Sequence, residues 1–167
     1  MKLALAAVAV LEVGCATAPL AAPPKGPPPA LSFSSINHQG SVTLGGRVTV
    51  ITVCASWADA CRPTFAELHK LYQRHHEHGV LVLGLLVDDL PKDPAVKNQI
   101  RQVIGGVEFP VALDVNGGAD FEVHSIPETV VLDPQRNVRF RHTGREPGWA
   151  EAIEDEVRAL LVEPPAR

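Results

Sequence analysis

Two cysteines seven positions apart, Cys54 and Cys61, carry the chemistry this sequence offers. A thiol acts as a nucleophile only as its thiolate, and a helix N-terminus lowers the pKa that controls the thiolate fraction. Cys61 falls where a helix begins, after the turn Ala55-Ser56-Trp57-Ala58-Asp59-Ala60. Cys54 falls at the end of an apolar run. A bridge between them requires Cα atoms within roughly 7 Å and converging Cβ vectors, which spacing alone does not decide. The alternative for Cys54 is a small buried hydrophobe, since free cysteine is among the most buried residue types. The chain has 3 cysteines in all, the other being Cys15, so a disulfide scaffold is excluded and the fold rests on its core.

The elements that must position these residues are legible around them. Val48–Cys54 is almost continuously apolar and rich in β-branched residues, as in a central strand covered on both faces. A helix follows from about Asp59 to His78, with Asp59 as its cap, Pro63 tolerated in or beside the first turn, and Phe65, Leu68, Leu71 and Tyr72 as its apolar stripe. Upstream, Ser41–Leu44 reads as a short strand and Gly45-Gly46 as a turn. Downstream, Val80–Val87 is a second buried strand. Ala95–Ile104 is a helix opened by Asp93-Pro94 and closed by Gly105-Gly106. Phe109–Leu113 is extended, Thr129–Leu132 and Val138–His142 form a hairpin about the turn 133–137, and Trp149–Leu161 is a final amphipathic helix. Strands alternating with helices predict an α/β domain with a central mixed β-sheet flanked by helices on both faces.

The 167 residues accommodate one domain with short extras, and 46% hydrophobic against 20% charged residues suits a globular core. A formal net charge of −4 leaves no electrostatic footprint for nucleic acid and no basic surface for anionic lipid. Met1–Leu11 carries one lysine and then a short apolar run, the pattern of a secretory signal and too short to span a membrane. Leu11-Glu12-Val13-Gly14-Cys15 is similar to a bacterial lipobox, with Cys15 as the lipidated residue, although Glu12 stands where an aliphatic residue belongs. A plain signal cut near Ala16–Ala22 is the alternative. Pro19–Ala30 holds six prolines and favours an extended spacer. The expected organisation is therefore signal 1–15, tether 16–30, folded domain 31–162 and tail 163–167.

Taken together, the pieces from about Ser32 to Val162 resemble a thioredoxin-fold protein of the TlpA-like group of exported thiol–disulfide oxidoreductases. Val50–Arg62 is similar to the group's strand followed by Ala-Ser-Trp-Cys-x-x-Cys-Arg. Gly79–Asp88, Phe109–Asp114 and Ser125–Asp133 match its later landmarks. Pro127-Glu128-Thr129 and Arg139–Gly144 look most like the thiol reductases of cytochrome c maturation. The resemblance implies a cis Ile126–Pro127 bond, with Pro127 beside the cysteines shaping a groove for a partner peptide with Trp57, Asp59, Ala60, Ile126 and Glu128. No cofactor and no metal are expected.

The site departs from that pattern where the chemistry is most demanding. The group attacks its partner with the first cysteine of Cys-x-x-Cys and resolves with the second; here the first position is Ala58 and the second Cys61. Cys54 stands where an aromatic residue is common, Thr64 and Ala66 replace a common Glu and Pro, and Thr52 lies where thioredoxin keeps a buried acid. Three readings follow. In the first, the chain binds an exported, thiol-containing protein or peptide with little or no dithiol turnover. In the second, Cys61 alone or a Cys54/Cys61 pair retains thiol–disulfide exchange. The third is a peroxidase use of Cys61, similar to peroxiredoxins, although Ala58 lacks the hydroxyl of their Thr-x-x-Cys site. His75-His76-Glu77-His78 reads as a solvated helix end rather than a metal site, because neighbours on a helix face different sides. Asp88-Asp89 and Asp93 read as strand-end and cap residues. Glu128, beside Pro127, is positioned to tune a thiol or touch a partner, and His124 lies close in sequence.

Overall fold

The computed structural model describes residues 31–88, 93–114, 116 and 118–163. The expectations for the signal, for Cys15, for the tether, for Asp89 and for residues 164–167 lie outside the described residues. The elements run β1 (Ser32–Ser34), β2 (Ser41–Thr43), β3 (Thr49–Cys54), α1 (Cys61–His75), β4 (Leu81–Leu86), α2 (Pro94–Ile104), β5 (Val111–Leu113), β6 (Glu128–Leu132), β7 (Val138–Thr143) and α3 (Trp149–Val162). Single 3-10 turns lie at His76–His78 and Ala119–Phe121.

The five-stranded sheet has the order β5-β4-β3-β6-β7. β3, β4 and β5 are parallel, and β6 and β7 each run antiparallel to the preceding neighbour. Every residue of β3 and of β4 is buried, which accounts for the unbroken apolar sequence of β4 and for a β3 interrupted only by Thr49 and Thr52. Alternation along β3 sends Val50 and Cys54 to one face and Ile51 and Val53 to the other.

Both faces are covered, but the cover differs in kind from the expected helices on each. Phe65, Leu68 and Leu71 of α1, Ile100 and Val103 of α2, and Trp149, Ile153 and Val157 of α3 share a single apolar cluster with Val50, Cys54 and Val82. The reason is handedness. Two successive right-handed crossovers, β3-α1-β4 and β4-α2-β5, step across the sheet in the same direction and so place both helices on the same side. The opposite face, with Ile51, Val53, Leu83 and Leu85, is closed by Phe33 and Leu44 of the β1–β2 region and by Phe121. α3 is held to α1 through Glu154, which accepts from Arg74 at 2.6 Å and lies 3.1 Å from His75 Nε2.

The helix α1 opens at Cys61, later than the expected Asp59. Asp59 is exposed and does not cap it; Ala60 takes the cap position with no side-chain bond. Backbone turns do that work instead, with Ala58 N–H donating to Ala55 O at 3.2 Å and Cys61 N–H to Ala58 O at 2.9 Å. The α-helical run also stops at His75, before the expected His78, and the 3-10 turn follows it. At α2 the Asp93 side chain accepts from Ala95 N at 2.8 Å, ahead of Pro94, and Gly105 ends the helix at φ 56°. The 3-10 turn at Ala119–Phe121 has no distinct sequence signal.

Candidate active site

β3 delivers Cys54 at its C-terminal end, and α1 delivers Cys61 as its first residue. The two are joined by a disulfide, their Cα atoms 5.6 Å apart. Both are fully buried within the helix-side cluster. Cys54 is fixed by the sheet, its residue paired with Leu86 and its carbonyl accepting from Val87 N–H at 2.9 Å. Cys61 Sγ accepts from Ala55 N–H at 3.3 Å and sits at a helix N-terminus, two features that favour negative charge on that sulfur when the bridge opens. Because Cys61 is bonded to Cys54, it is not a free peroxidatic thiol in this state.

The turn between them carries the other residues singled out from the sequence. Trp57 is 67% exposed, an unusual position for so large an apolar side chain. Ala58 is half-buried and packs on the cluster containing the disulfide, as does Ile126. Asp59 is exposed and Ala60 half-buried. Trp57, Val123, His124, Ser125 and Ile126 line an open groove of about 410 Å³. The Ile126–Pro127 peptide bond is cis, Pro127 is buried, and its carbonyl accepts from Gly144 N–H at 2.8 Å.

Glu128 does not face the groove as a free acid. It is 2% exposed, and it accepts from Arg141, from His124 N–H at 3.2 Å and from Ser125 Oγ at 3.2 Å. Burial by itself would push its pKa up. The hydrogen bonds from Arg141, His124 and Ser125, with the Arg141 charge, outweigh burial and hold the carboxyl below the usual glutamate range. Arg141 also donates to Phe121 O at 2.7 Å, so the pair ties the groove-lining segment to the sheet. Thr52 lies two residues before Cys54 on the same face of β3, and its hydroxyl accepts from Thr129 Oγ1 at 3.2 Å. A neutral hydroxyl pair thus occupies the level below the disulfide.

The histidines at the end of α1 satisfy local partners. His75 meets Glu154, while His76 Nδ1 donates to Tyr72 O at 2.9 Å and His78 Nδ1 to Arg74 O at 3.2 Å. Among the described residues, no group of three or more potential metal ligands comes together.

Sequence reading missed two contributors. Arg141 reaches Glu128 from the neighbouring strand, a contact that depends on the β6–β7 register. Asp88, read as a strand-end residue, is 5% exposed and accepts from both Ser56 N–H at 2.9 Å and Ser56 Oγ at 2.5 Å.

A five-stranded mixed sheet with a cysteine at the head of the helix after its central strand defines a thioredoxin-like fold. Solved structures agree on that fold. StoA from Bacillus subtilis superposes with a TM-score of 0.62 at 17% identity, covering 79% of this chain and 98% of its own. A thioredoxin-family thiol:disulfide interchange protein from Chlorobium tepidum TLS does so with a TM-score of 0.61 at 19% identity, covering 81% and 95%. Residues 29–160 match the Redoxin family, and the chain belongs to it.

Its relatives include the thiol:disulfide interchange protein DsbE of Allochromatium vinosum, 32% identical over 116 residues, which are 66% of this chain and 60% of that protein. The thiol-disulfide oxidoreductase ResA of Bacillus thuringiensis is 32% identical over 97 residues, 57% of this chain and 54% of its own. The chain spans about three fifths of the length of the first curated relatives it matches. These relatives agree with the resemblance to TlpA-like thiol–disulfide oxidoreductases read from the sequence.

Proposed function

We propose that this chain is an exported thiol–disulfide oxidoreductase of the DsbE and ResA type in which Cys54 and Cys61 form the working couple. The single observation that carries this reading is the disulfide between the end of β3 and the first residue of α1. It supplies two thiols at the junction where Ala58 removes one of the usual pair. In the oxidising direction, a partner thiolate attacks Cys54 Sγ, the S–S bond breaks, and Cys61 leaves as the thiolate favoured by the helix N-terminus and Ala55 N–H. A second partner thiolate then attacks the mixed disulfide and releases Cys54. Two partner thiols lose two electrons and two protons, and Cys54 and Cys61 take them up; the reverse sequence reduces a partner disulfide.

The partner is an exported, thiol-containing polypeptide whose extended segment lies in the groove of Trp57 and Val123–Ile126. Support for that assignment is the exposure of Trp57 beside an open groove lined by Val123, His124, Ser125 and Ile126. Export rests on Met1–Leu11, and attachment to the periplasmic side of a bacterial membrane on Cys15 and the proline-rich tether. The second reading, partner binding without turnover, is favoured by the complete burial of both cysteines.

The test uses the full mature chain in glutathione buffers of graded ratio, with alkylation under denaturing conditions and thiols counted by mass. The oxidoreductase reading expects two thiols to appear together at a defined ratio, and expects the protein to catalyse insulin reduction. Free thiols after exposure to oxidised glutathione, or a disulfide that never exchanges, leave the binding reading in its place.

A further inference from the structure

The disulfide offers no exposed atom to an incoming thiol. Against it lies the turn Ala55–Ala60, which bonds Cys61 Sγ through Ala55 N–H, packs Ala58 on the disulfide's cluster and turns the Trp57 ring to solvent. Ala55 is buried and Ala58 packs on the helix-side cluster, but these are small side chains, so the apolar area holding the turn down is modest. Besides the Ala55 N–H bond to Cys61 Sγ, the turn is tied at Ser56, whose N–H and hydroxyl both donate to the Asp88 carboxylate just beyond β4, at 2.9 and 2.5 Å. Asp88 is nearly buried, where a carboxylate is costly unless it receives donors. Both sides of the contact therefore favour closure.

We infer that Asp88 is a positioning residue: it clasps Ser56 and so keeps the Ala55–Ala60 turn closed over the Cys54–Cys61 disulfide, and a thiol reaches a sulfur only when this clasp opens. The inference rests on the proposed oxidoreductase reading for its purpose, since access matters when the couple works. The clasp itself is tested without turnover.

Oxidised full-length protein is mixed with dithiothreitol at fixed pH, quenched at intervals, alkylated and weighed. Each event consumes two thiols of the reagent, which becomes its cyclic disulfide, and yields the two thiols of Cys54 and Cys61. Ser56→Ala removes one donor without changing charge, and Asp88→Asn weakens the acceptor. Both are expected to speed reduction about tenfold, the scale of one charge-assisted hydrogen bond. Asp133→Asn, in the β6–β7 turn where Asp133 accepts from Gln135 and Asn137, should reduce at the parent rate.

Rates within twofold of the parent for both clasp variants overturn the inference. So does acceleration by Asp88→Asn alone, which is a charge effect on the incoming thiolate, and so does equal acceleration by Asp133→Asn, which is general loosening. Where Asp88→Asn fails to fold, Ser56→Ala decides. A reduced protein that passes no electrons to insulin sinks the oxidoreductase reading and leaves a measured clasp standing. If the cysteines stay free thiols after exposure to oxidised glutathione, that reading also fails, and iodoacetamide labelling of Cys61 in the same variants is judged by the same tenfold and twofold limits.

Discussion

Phe65 of α1 lies against the one β4 position that has no side chain: a Cβ on Gly84 would stand 2.9 Å from Phe65 Cζ and 3.3 Å from Val111 Cγ2. This close approach seats α1 on the sheet one turn after Cys61, and so helps bring its first residue to Cys54. Gly84→Ala is expected to overpack the contact and cost about 1–3 kcal/mol in urea unfolding. An unchanged midpoint would mean that Phe65 finds another rotamer freely.

The disulfide closes a short loop, with a sequence separation of 7. Chain-entropy reasoning then gives about 2 kcal/mol of stabilisation, or a fall in Tm of about 4–8 °C on reduction. Thermal melts with and without dithiothreitol check this. The Cys54→Ala/Cys61→Ala double variant should melt identically in both buffers.

Ala58→Cys restores the three-residue spacing with a half-buried thiol above the helix N-terminus. Disulfide mapping should find Cys61 shared with, or captured by, the new thiol, and insulin reduction should rise about tenfold over the parent. A variant that stays inert with Cys54–Cys61 intact would show that the groove no longer admits that substrate.

Trp57→Ala separates recognition from stability. Since the side chain is largely in solvent, unfolding free energy should change by less than about 0.5 kcal/mol. The KM for insulin should rise about tenfold, as expected for loss of an aromatic anchor, with kcat little changed.

Glu128 gives a pH dependence whose sign is fixed. Its folded pKa lies below the unfolded value, so its contribution is fully present above the ordinary glutamate pKa of about 4.3 and is lost as pH falls through the lower folded value. Glu128→Gln should therefore be less stable than the parent near neutrality, with the difference narrowing toward pH 3. Urea midpoints across that range check it. Arg141→Ala, which leaves the buried carboxylate without its cation, should cost about 3–5 kcal/mol at neutral pH.

The parts of this fold legible in the sequence are those determined locally. The apolar runs of β3 and β4, the Asp93-Pro94 opening of α2 and the 133–137 turn each carry their own signal. α1 starts two residues after Asp59, which has the right chemistry for a cap, because the helix takes its first bonds from the backbone turn instead. That α1 and α2 share one face follows from the strand order, and that α3 joins them follows from its packing on their cluster, neither of which a single segment reveals. At the site, Trp57, Ala58 and the two cysteines were visible as residue types. The Cys54–Cys61 bond depended on a Cα separation of 5.6 Å, and Asp88 and Arg141 depended on neighbours 32 and 13 residues distant.

With every long helix on one side, the other side of the sheet depends on a short hairpin, its flanks and Phe121 for protection from water. Loss of that flap, by proteolysis in the exposed residues 38–41 or by a truncation starting near Thr49, would uncover Ile51, Val53, Leu83 and Leu85 as a flat apolar surface. The aggregation liability of the described residues is thus concentrated at the β1–β2 edge, apart from Cys54 and Cys61, and a soluble fragment must begin before Phe33.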